Sequence, residues 1–162
     1  MSDELHKRVL DLFEAKVVRK EAEALDSHRG GCSSSRPLSE NHNHLGLMGE
    51  FAFGKLCGIY PNVELTAKGD GGVDFTLPLK FTVDVKTARN AINLIHEKGK
   101  PFADIYVLAK YYDDKDDVRF LGWEMGAKLA KTEPRDFGKG ILNHYIHHSK
   151  LRPMEQLLKR LK

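Results

Sequence analysis

The chain has 162 residues, of which 41% are apolar and 30% charged, and its 26 lysines and arginines face 23 acidic residues. This length suits one domain with a real hydrophobic core, and the composition argues against wholesale disorder. The longest apolar run, Ile105–Ala109, is far below the roughly 18 residues of a membrane span. The acidic N-terminus lacks the order of a signal peptide, and two cysteines are too few for a disulfide scaffold or a four-cysteine zinc site. We therefore expect a cytoplasmic protein with no membrane partner.

The first part of the chain is predicted to be an arm outside the core. Apolar residues at helical spacing, among strong helix formers, predict a helix over 3–28. The glycine- and serine-rich segment 28–37 that follows is predicted to be a flexible loop. We therefore expect a helical arm and loop over 1–36 and a core domain with a basic C-terminal helix over 37–162.

The core is predicted to mix helices and strands. A helix is expected from Ser39, a good N-cap residue, to Cys57, with Gly58 ending it. The elements expected after it are an edge strand over 63–65, strands over 73–76, 81–87, 103–111 and 118–123, and helices over 125–131 and 153–161. This order predicts a mixed α/β fold.

Two acids and a lysine are predicted to share one face of a hairpin. Asp84 and Lys86 are two residues apart on a strand, so their side chains project from the same face. If Thr76 pairs with Thr82, Asp74 lies across from Asp84 at about 5 Å. Two carboxylates this close repel each other unless a cation or a shared proton lies between them.

Such a cluster is suited to metal-assisted hydrolysis of a phosphodiester. Mg²⁺ is held in proteins by few carboxylates together with waters and phosphate oxygens, and a lysine can offset developing charge. A third carboxylate is expected from the preceding helix. Glu50 lies there among apolar residues, and a lone buried carboxylate is costly, so its side chain should face a polar group.

These residues resemble the PD-(D/E)XK nuclease superfamily, and they are most similar to its small phage- or prophage-type members. The resemblance covers about residues 45–123 and rests on Asp74, a spacer of nine residues, the run Asp84-Val85-Lys86, and Glu50 on a preceding helix. It implies a restriction-endonuclease-like core, with a mixed central β-sheet flanked by helices. It also implies that Asp74 and Asp84 are metal ligands and that Lys86 is the catalytic lysine. Glu50 and the main-chain carbonyl of Val85 would be further ligands.

The resemblance implies Mg²⁺ or Mn²⁺ as cofactor, DNA as substrate and a bacterial host cell as the location. One departure from the motif is Val73, which stands where the name of the motif has proline. A non-catalytic nucleic-acid-binding protein on the same fold is the main alternative, and hydrolysis of a non-nucleic phosphodiester is another. A homodimer is left open, because cutting both strands of a duplex usually requires two active sites.

Basic residues near the C-terminus are candidates for contact with the DNA backbone. Segment 139–162 holds six lysines and arginines against one acid, Glu155. Such an excess suits a phosphate-contacting face, although a solvated basic helix end has the same composition. The residues expected to contact nucleic acid are Lys150, Arg152, Lys159 and Arg160, together with Thr87 and Arg89 just beyond the lysine. The last two are equally suited to capping the strand.

Structural interpretations of the same residues stay open. Asp84 and Lys86 could form a weak ion pair on an exposed strand face, and Glu50 could reach solvent. Asp70, within a glycine-rich segment, is favoured as a turn former.

Three histidines form a second cluster, in the basic segment. His144, His147 and His148 could present two zinc ligands on one helical face. No nearby cysteine or acid completes a closed zinc site, so contact with phosphate or an ordinary surface position is favoured over zinc.

Overall fold

The computed structural model of the protein describes residues 7–9, 42–59, 73–115 and 117–161. The strands are β1 (Lys7–Val9), β2 (Phe75–Thr76), β3 (Thr82–Ala88), β4 (Asn93–Glu97), β5 (Ile105–Tyr112), β6 (Asp117–Met125), β7 (Arg135–Asp136) and β8 (Leu142–His147). The helices are α1 (His42–Cys57), α2 (Gly126–Leu129) and α3 (Met154–Arg160), with 3₁₀ turns at Pro78–Lys80 and His148–Lys150.

The strands form two sheets. The larger has five strands in the order β1-β6-β5-β3-β2, and the smaller has three in the order β4-β8-β7. Strands β3 and β5 are parallel, whereas every other neighbouring pair is antiparallel. A parallel pair needs a crossover, and here residues 89–104 supply it and carry β4 into the smaller sheet. The larger sheet is therefore mixed, as expected.

The mixed sheet is the middle layer of the described part of the fold. Successive side chains of β5 point to opposite faces. Ile105, Val107 and Ala109 pack in one core with α1 and α3, while Tyr106 and Leu108 pack in a second core against the smaller sheet. Because β5 is buried on both faces, its sequence is nearly continuously apolar, which is typical of a central strand.

Helix α1 lies on the mixed sheet through its apolar side and ends where the sequence predicts. Its most buried apolar side chains include Leu45, Met48, Ala52 and Phe53. Gly58 has a left-handed φ of 72°, and the amide of Ile59 donates to the carbonyl of Gly54 at 2.9 Å. This pattern closes a helix C-terminus on glycine, because other residues adopt that φ only with strain.

The predicted helix over 3–28 is wrong at Lys7–Val9. These three residues form β1, paired antiparallel with β6 so that Lys7 lies opposite Arg119. A long-range partner of this kind overrides local helix preference, which is only a weak guide. The rest of the predicted helix, the loop over 28–37, the strand over 63–65 and Asp70 lie outside the described residues.

The smaller sheet was not predicted from the sequence. Its strands β4 and β8 lie in segments that were left without an element, and β7 has only two residues. The two predicted helices after β6 are confirmed with shorter bounds, as α2 and α3, and Pro153 directly precedes α3. Among the described residues, the helices are too short or too polar to cross a membrane.

Candidate active site

The hairpin of β2 and β3 has the predicted register. Thr76 pairs with Thr82 and Phe75 with Val83, so Asp74, one residue further, comes next to Asp84. The amide of Asp74 donates to the carbonyl of Val83 at 2.9 Å, which fixes its backbone to β3. Because β2 is at the end of the sheet order among the described strands, this position is at the edge of the described sheet.

Asp74 is a buried carboxylate with other carboxylates around it. Its Oδ2 accepts a hydrogen bond of 2.6 Å from the amide of Val85. Burial raises the pKa of Asp74 well above its usual range, and the charges of Glu50 and Asp84 raise it further. The Val85 amide and the Lys86 ammonium lower this pKa but do not cancel the increase. The site therefore disfavours a third negative charge when no further cation is bound.

Asp84 and Lys86 project from the same face of β3 and contact each other. Lys86 Nζ lies 2.6 Å from Asp84 Oδ2, with the Asp84 side chain 4% exposed and the Lys86 side chain 38% exposed. The ion pair proposed as the structural alternative is thus formed, but Asp84 is buried and not on an exposed face. A lysine with its ammonium in an open position and its partner buried is able to exchange that partner for a ligand.

Tyr106 is a neighbour of the acids that the sequence did not suggest. It pairs with Asp84 across β3 and β5 and is fully buried. Burial, followed by the charges of Asp84 and Asp74, raises the pKa of Tyr106 to about 12, against the lowering effect of a hydrogen bond from the Ala103 amide. The hydroxyl lies 3.0 Å from His96 Nδ1. In the sequence, the signal for a buried His96 is its spacing of two from Leu94, which places both side chains on one face of a strand.

Glu50 comes to the site from the other face of the sheet, on α1. It is half-buried, and its charge contributes to the raised pKa of Asp74. The expectation that this helix-borne acid is near the acids of the hairpin therefore agrees with the electrostatics. The site is at the sheet edge, with Asp84 and Lys86 on one face and α1 on the other.

Carboxylate oxygens are suitable ligands for Mg²⁺ or Mn²⁺, but the side chains that the structure describes are not arranged around a common point where an ion would bind. Among the described residues, no group of three or more His, Cys, Asp and Glu side chains is placed to hold a metal ion. One oxygen of Asp74 is bonded to the Val85 amide, and one oxygen of Asp84 is bonded to Lys86. Mg²⁺ needs only one or two carboxylates when waters and phosphate oxygens complete its shell, so Asp74 and Asp84 fit such an ion. Coordination by Glu50 and by the Val85 carbonyl stays a prediction.

Thr87 and Arg89 are placed by contacts within the protein. The Thr87 Oγ1 is buried between β3 and α1, so in this arrangement it does not reach a phosphate. Arg89 Nε lies 3.0 and 2.7 Å from the two carboxylate oxygens of Asp113, at an exposed position. Such an exposed pair is weak, so Arg89 can exchange Asp113 for another anion.

The basic residues of the C-terminal segment differ in their surroundings. Arg152 Nε lies 3.0 Å from Oε1 of the fully buried Glu124, and its guanidinium lies 5.1 Å from the centre of the Trp123 ring. Arg160 also lies over Trp123, at 5.5 Å. Lys150 and Lys159 are exposed. Arg152 is therefore half-buried with a structural partner, whereas the other three candidates are exposed.

Helix α3, which carries Lys159 and Arg160, is not on the face that carries the lysine of the candidate site. Met154 and Leu157 of α3 pack in the same core as α1. Asp84 and Lys86 project from the opposite face of β3, next to Tyr106 and the second core. A nucleic acid that contacts both regions has to cross the edge of the sheet.

The three histidines are not on a helix. His144 and His147 lie on β8, and His148 begins the following 3₁₀ turn. His144 Nδ1 is 2.8 Å from the carbonyl of Thr132, and His147 Nδ1 is 2.8 Å from the hydroxyl of Ser149. The predicted helical face with two zinc ligands is therefore wrong, because residues three apart on a strand point to opposite faces.

An apolar groove of about 280 Å³ lies away from the acids, between the β2–β3 turn and α3. Its lining includes Leu79, Trp123 and Leu157, with Arg160 at the rim. None of the four acid and lysine candidates lines it.

Searches for similar proteins returned no matching family model, no matching curated protein and no matching solved structure.

Proposed function

We propose that the protein is a Mg²⁺- or Mn²⁺-dependent DNA nuclease whose centre consists of Asp74, Asp84, Lys86 and Glu50. One observation carries the proposal: Asp74 is buried beside Asp84 and within the field of Glu50, and its burial, followed by the charges of these two acids, keeps its pKa raised despite an amide donor and a lysine. A divalent cation relieves this repulsion better than a single ammonium does.

The roles of the residues follow from their positions. Asp74 and Asp84 would hold the ion, and Glu50 would add a charge from the helix side. A bound Mg²⁺ or Mn²⁺ would polarise the phosphate and lower the pKa of a water molecule. Lys86 would leave Asp84 and turn its ammonium toward the phosphate, where it offsets the negative charge that develops during cleavage. The 38% exposure of the Lys86 side chain supports this exchange, because a partly exposed side chain has room to change its rotamer.

DNA as substrate rests on the resemblance of the motif and on the basic C-terminal segment. Lys159 and Lys150 are exposed, and Arg89 lies at an exposed position in an ion pair with Asp113. Each such cation can release counterions on contact with a phosphate, which is the main source of affinity for a nucleic acid backbone.

The test is incubation of the protein with linear, nicked, branched and single-stranded DNA in Mg²⁺, in Mn²⁺ and in EDTA. We expect cleavage with either metal and none in EDTA. Asp84→Asn should reduce the cleavage rate by about a thousandfold, the size of effect seen when a charged or hydrogen-bonding group of a transition state is removed. Asp114→Asn, at an exposed turn position, is the matched control and should cleave like wild type. Wild-type rates in Asp84→Asn would show that the centre is not here.

A non-catalytic nucleic-acid-binding protein is the second candidate, and the Asp84–Lys86 ion pair favours it. With Lys86 on Asp84 and no ready group of three ligands among the described residues, the acids could form a purely structural network. Binding of DNA that is equal in Mg²⁺ and in EDTA, without cleavage of any of the four substrates, would support this function instead.

A further inference from the structure

Helix α1 and strand β3 approach each other most closely at Gly49 and Thr87. A Cβ atom built on Gly49 would overlap the Oγ1 of Thr87 and would lie 3.0 Å from its Cβ and 3.3 Å from its Cγ2. A side chain at this position therefore requires movement of α1, of β3 or of the Thr87 side chain. The backbone of α1 at Gly49 is thus in direct contact with the Thr87 side chain of β3.

This contact is unfavourable for local stability in two ways. Glycine is a poor helix former, and Gly49 lies in the middle of a helix of 16 residues. In addition, the Thr87 Oγ1 is buried and has no hydrogen-bond partner among the described residues. A buried hydroxyl without a partner costs free energy. Both costs would disappear with larger or apolar residues, so the close approach itself is what the two residues provide.

The two residues are the immediate neighbours of two members of the proposed centre. Gly49 precedes Glu50 on the helix, and Thr87 follows Lys86 on the strand. We propose that the Gly49–Thr87 contact is a positioning device that sets the distance between Glu50 and the Asp84–Lys86 strand. This inference rests on the proposed nuclease function.

The proposed positioning role depends on the rigid packing of α1 on the mixed sheet. Helix α1 is held on the sheet by a well-packed core, so a methyl group at position 49 has to lift the helix from β3 at the turn that carries Glu50. The charge of Glu50 already acts on Asp74, so a shift of the helix changes the electrostatics of the centre directly. A misplacement of about 1 Å in a catalytic group can cost about a hundredfold in rate.

The same helix supplies a matched control. Among the described residues, a Cβ on Gly46 would meet Oε1 of Glu50 at 3.7 Å, which is an ordinary contact, and no other atom beyond the helix's own backbone within 4 Å. Gly46→Ala is thus the same chemical change, one turn earlier, without the overlap.

The experiment compares wild type, Gly46→Ala, Gly49→Ala and the double variant Gly49→Ala/Thr87→Ala. DNA cleavage and the binding of Mn²⁺ alone, by titration calorimetry, are measured for each. We expect Gly46→Ala to match wild type and Gly49→Ala to cleave about a hundredfold more slowly, with weaker Mn²⁺ binding. The double variant should recover at least about tenfold of the lost rate and most of the Mn²⁺ affinity. The recovery is incomplete because the Cβ of residue 87 stays 3.0 Å from the new methyl group.

The outcomes separate the two proposals. If wild type binds Mn²⁺ and cleaves, and Gly49→Ala does both equally well, the positioning role is overturned and the nuclease function stands. A slow Gly49→Ala that Thr87→Ala does not restore also overturns the positioning role. If Gly49→Ala does not fold, the double variant decides: it must fold and bind Mn²⁺ for the proposal to stand. A wild-type chain that neither binds Mn²⁺ nor cleaves DNA overturns both.

Discussion

Buried acidic side chains at Glu124 and at the edge of the mixed sheet have opposite electrostatic surroundings. Glu124 has no exposed surface, and both of its oxygens are satisfied by cations: Lys128 at 2.6 Å and Arg152 at 3.0 Å. Oε1 of Glu124 also accepts a hydrogen bond of 3.0 Å from the Met125 amide. At the sheet edge, Asp74 and Asp84 are also buried, but Lys86 acts there against the combined charges of three carboxylates.

The difference separates an acid whose charge is balanced by neighbouring cations from acids whose charges are only partly balanced. A buried carboxylate is tolerated when cations and donors surround it, as at Glu124. At Asp74 the surroundings leave the pKa raised, so the folded protein retains unfavourable charge density that a bound cation would remove. We infer that the Glu124 cluster contributes to stability, and that the Asp74 cluster costs stability in exchange for a function.

The largest effect on stability is expected at Glu124, where two cations surround the buried carboxylate. Arg152→Ala leaves the fully buried Glu124 with one cation fewer, and breaking a buried ion pair costs about 3–5 kcal/mol. We expect a loss near the lower end, about 3 kcal/mol, because Lys128 remains. Urea unfolding of the variant measures it. Lys150→Ala, two residues away and exposed, should change the free energy of unfolding by less than about 0.5 kcal/mol. Equal losses in both variants would mean that Glu124 does not depend on Arg152.

A slightly smaller effect is expected when the sheet-edge acids receive a cation. A ligand that binds only the folded protein at about 100 times its Kd adds about 2.7 kcal/mol of stability. Thermal unfolding with and without Mn²⁺ should show this gain in wild type and lose most of it in Asp74→Ala. Asp114→Asn serves as the control and should keep the full gain. The same shift in Asp74→Ala and wild type would place the ion elsewhere, for instance at the histidines of β8.

In EDTA, without bound metal, the stability of the folded protein should depend on pH through the titration of Asp74. Because its pKa is raised in the folded protein, the folded state binds the proton more tightly than the unfolded state does between the ordinary value of 3.8 and the raised value. Asp74 therefore lowers stability as pH rises through this window. Asp74→Asn should flatten that decline and should be more stable than wild type at neutral pH without metal. A decline of equal steepness in the variant would assign it to other groups.

The smallest effect is expected from the basic helix. Each phosphate contact contributes about 0.9 to the slope of log K against log salt on duplex DNA, so neutralising Lys159 and Arg160 together should flatten the slope by up to roughly 2. Lys159 should account for most of the change, because Arg160 lies over Trp123. Lys139→Gln, in the loop before β8, is the comparison on the smaller sheet. If Lys139→Gln flattens the slope and the helix variants do not, DNA lies over the smaller sheet.

Local pattern was sufficient for the hairpin and for the helix beside it. The Thr76–Thr82 pairing follows from the length of the turn, and the period of two then brings Asp74 next to Asp84. The end of α1 follows from Gly58, the residue type that tolerates its φ. These features depend on neighbours in the chain, so the sequence is enough to predict them.

Long-range pairing was decisive where the sequence-based prediction was wrong. Lys7–Val9 becomes a strand because β6 offers an edge more than a hundred positions away in the chain, and the pattern of the first thirty residues contains no trace of that edge. The smaller sheet is missed for the same reason. β4 buries only Leu94 and His96, β8 buries only Asn143 and Ile146, and β8 includes two histidines.

By itself, the sequence determined the chemistry available to the protein: two acids and a lysine on one hairpin, and a glutamate on the preceding helix. Only the tertiary structure decided how that chemistry is arranged. It buries Asp74 among carboxylates, pairs Lys86 with Asp84, places Arg152 on Glu124 and seats Gly49 on Thr87. The physical reason is that burial, charge coupling and close packing depend on groups brought together from distant parts of the chain, whereas residue type and strand period are local properties.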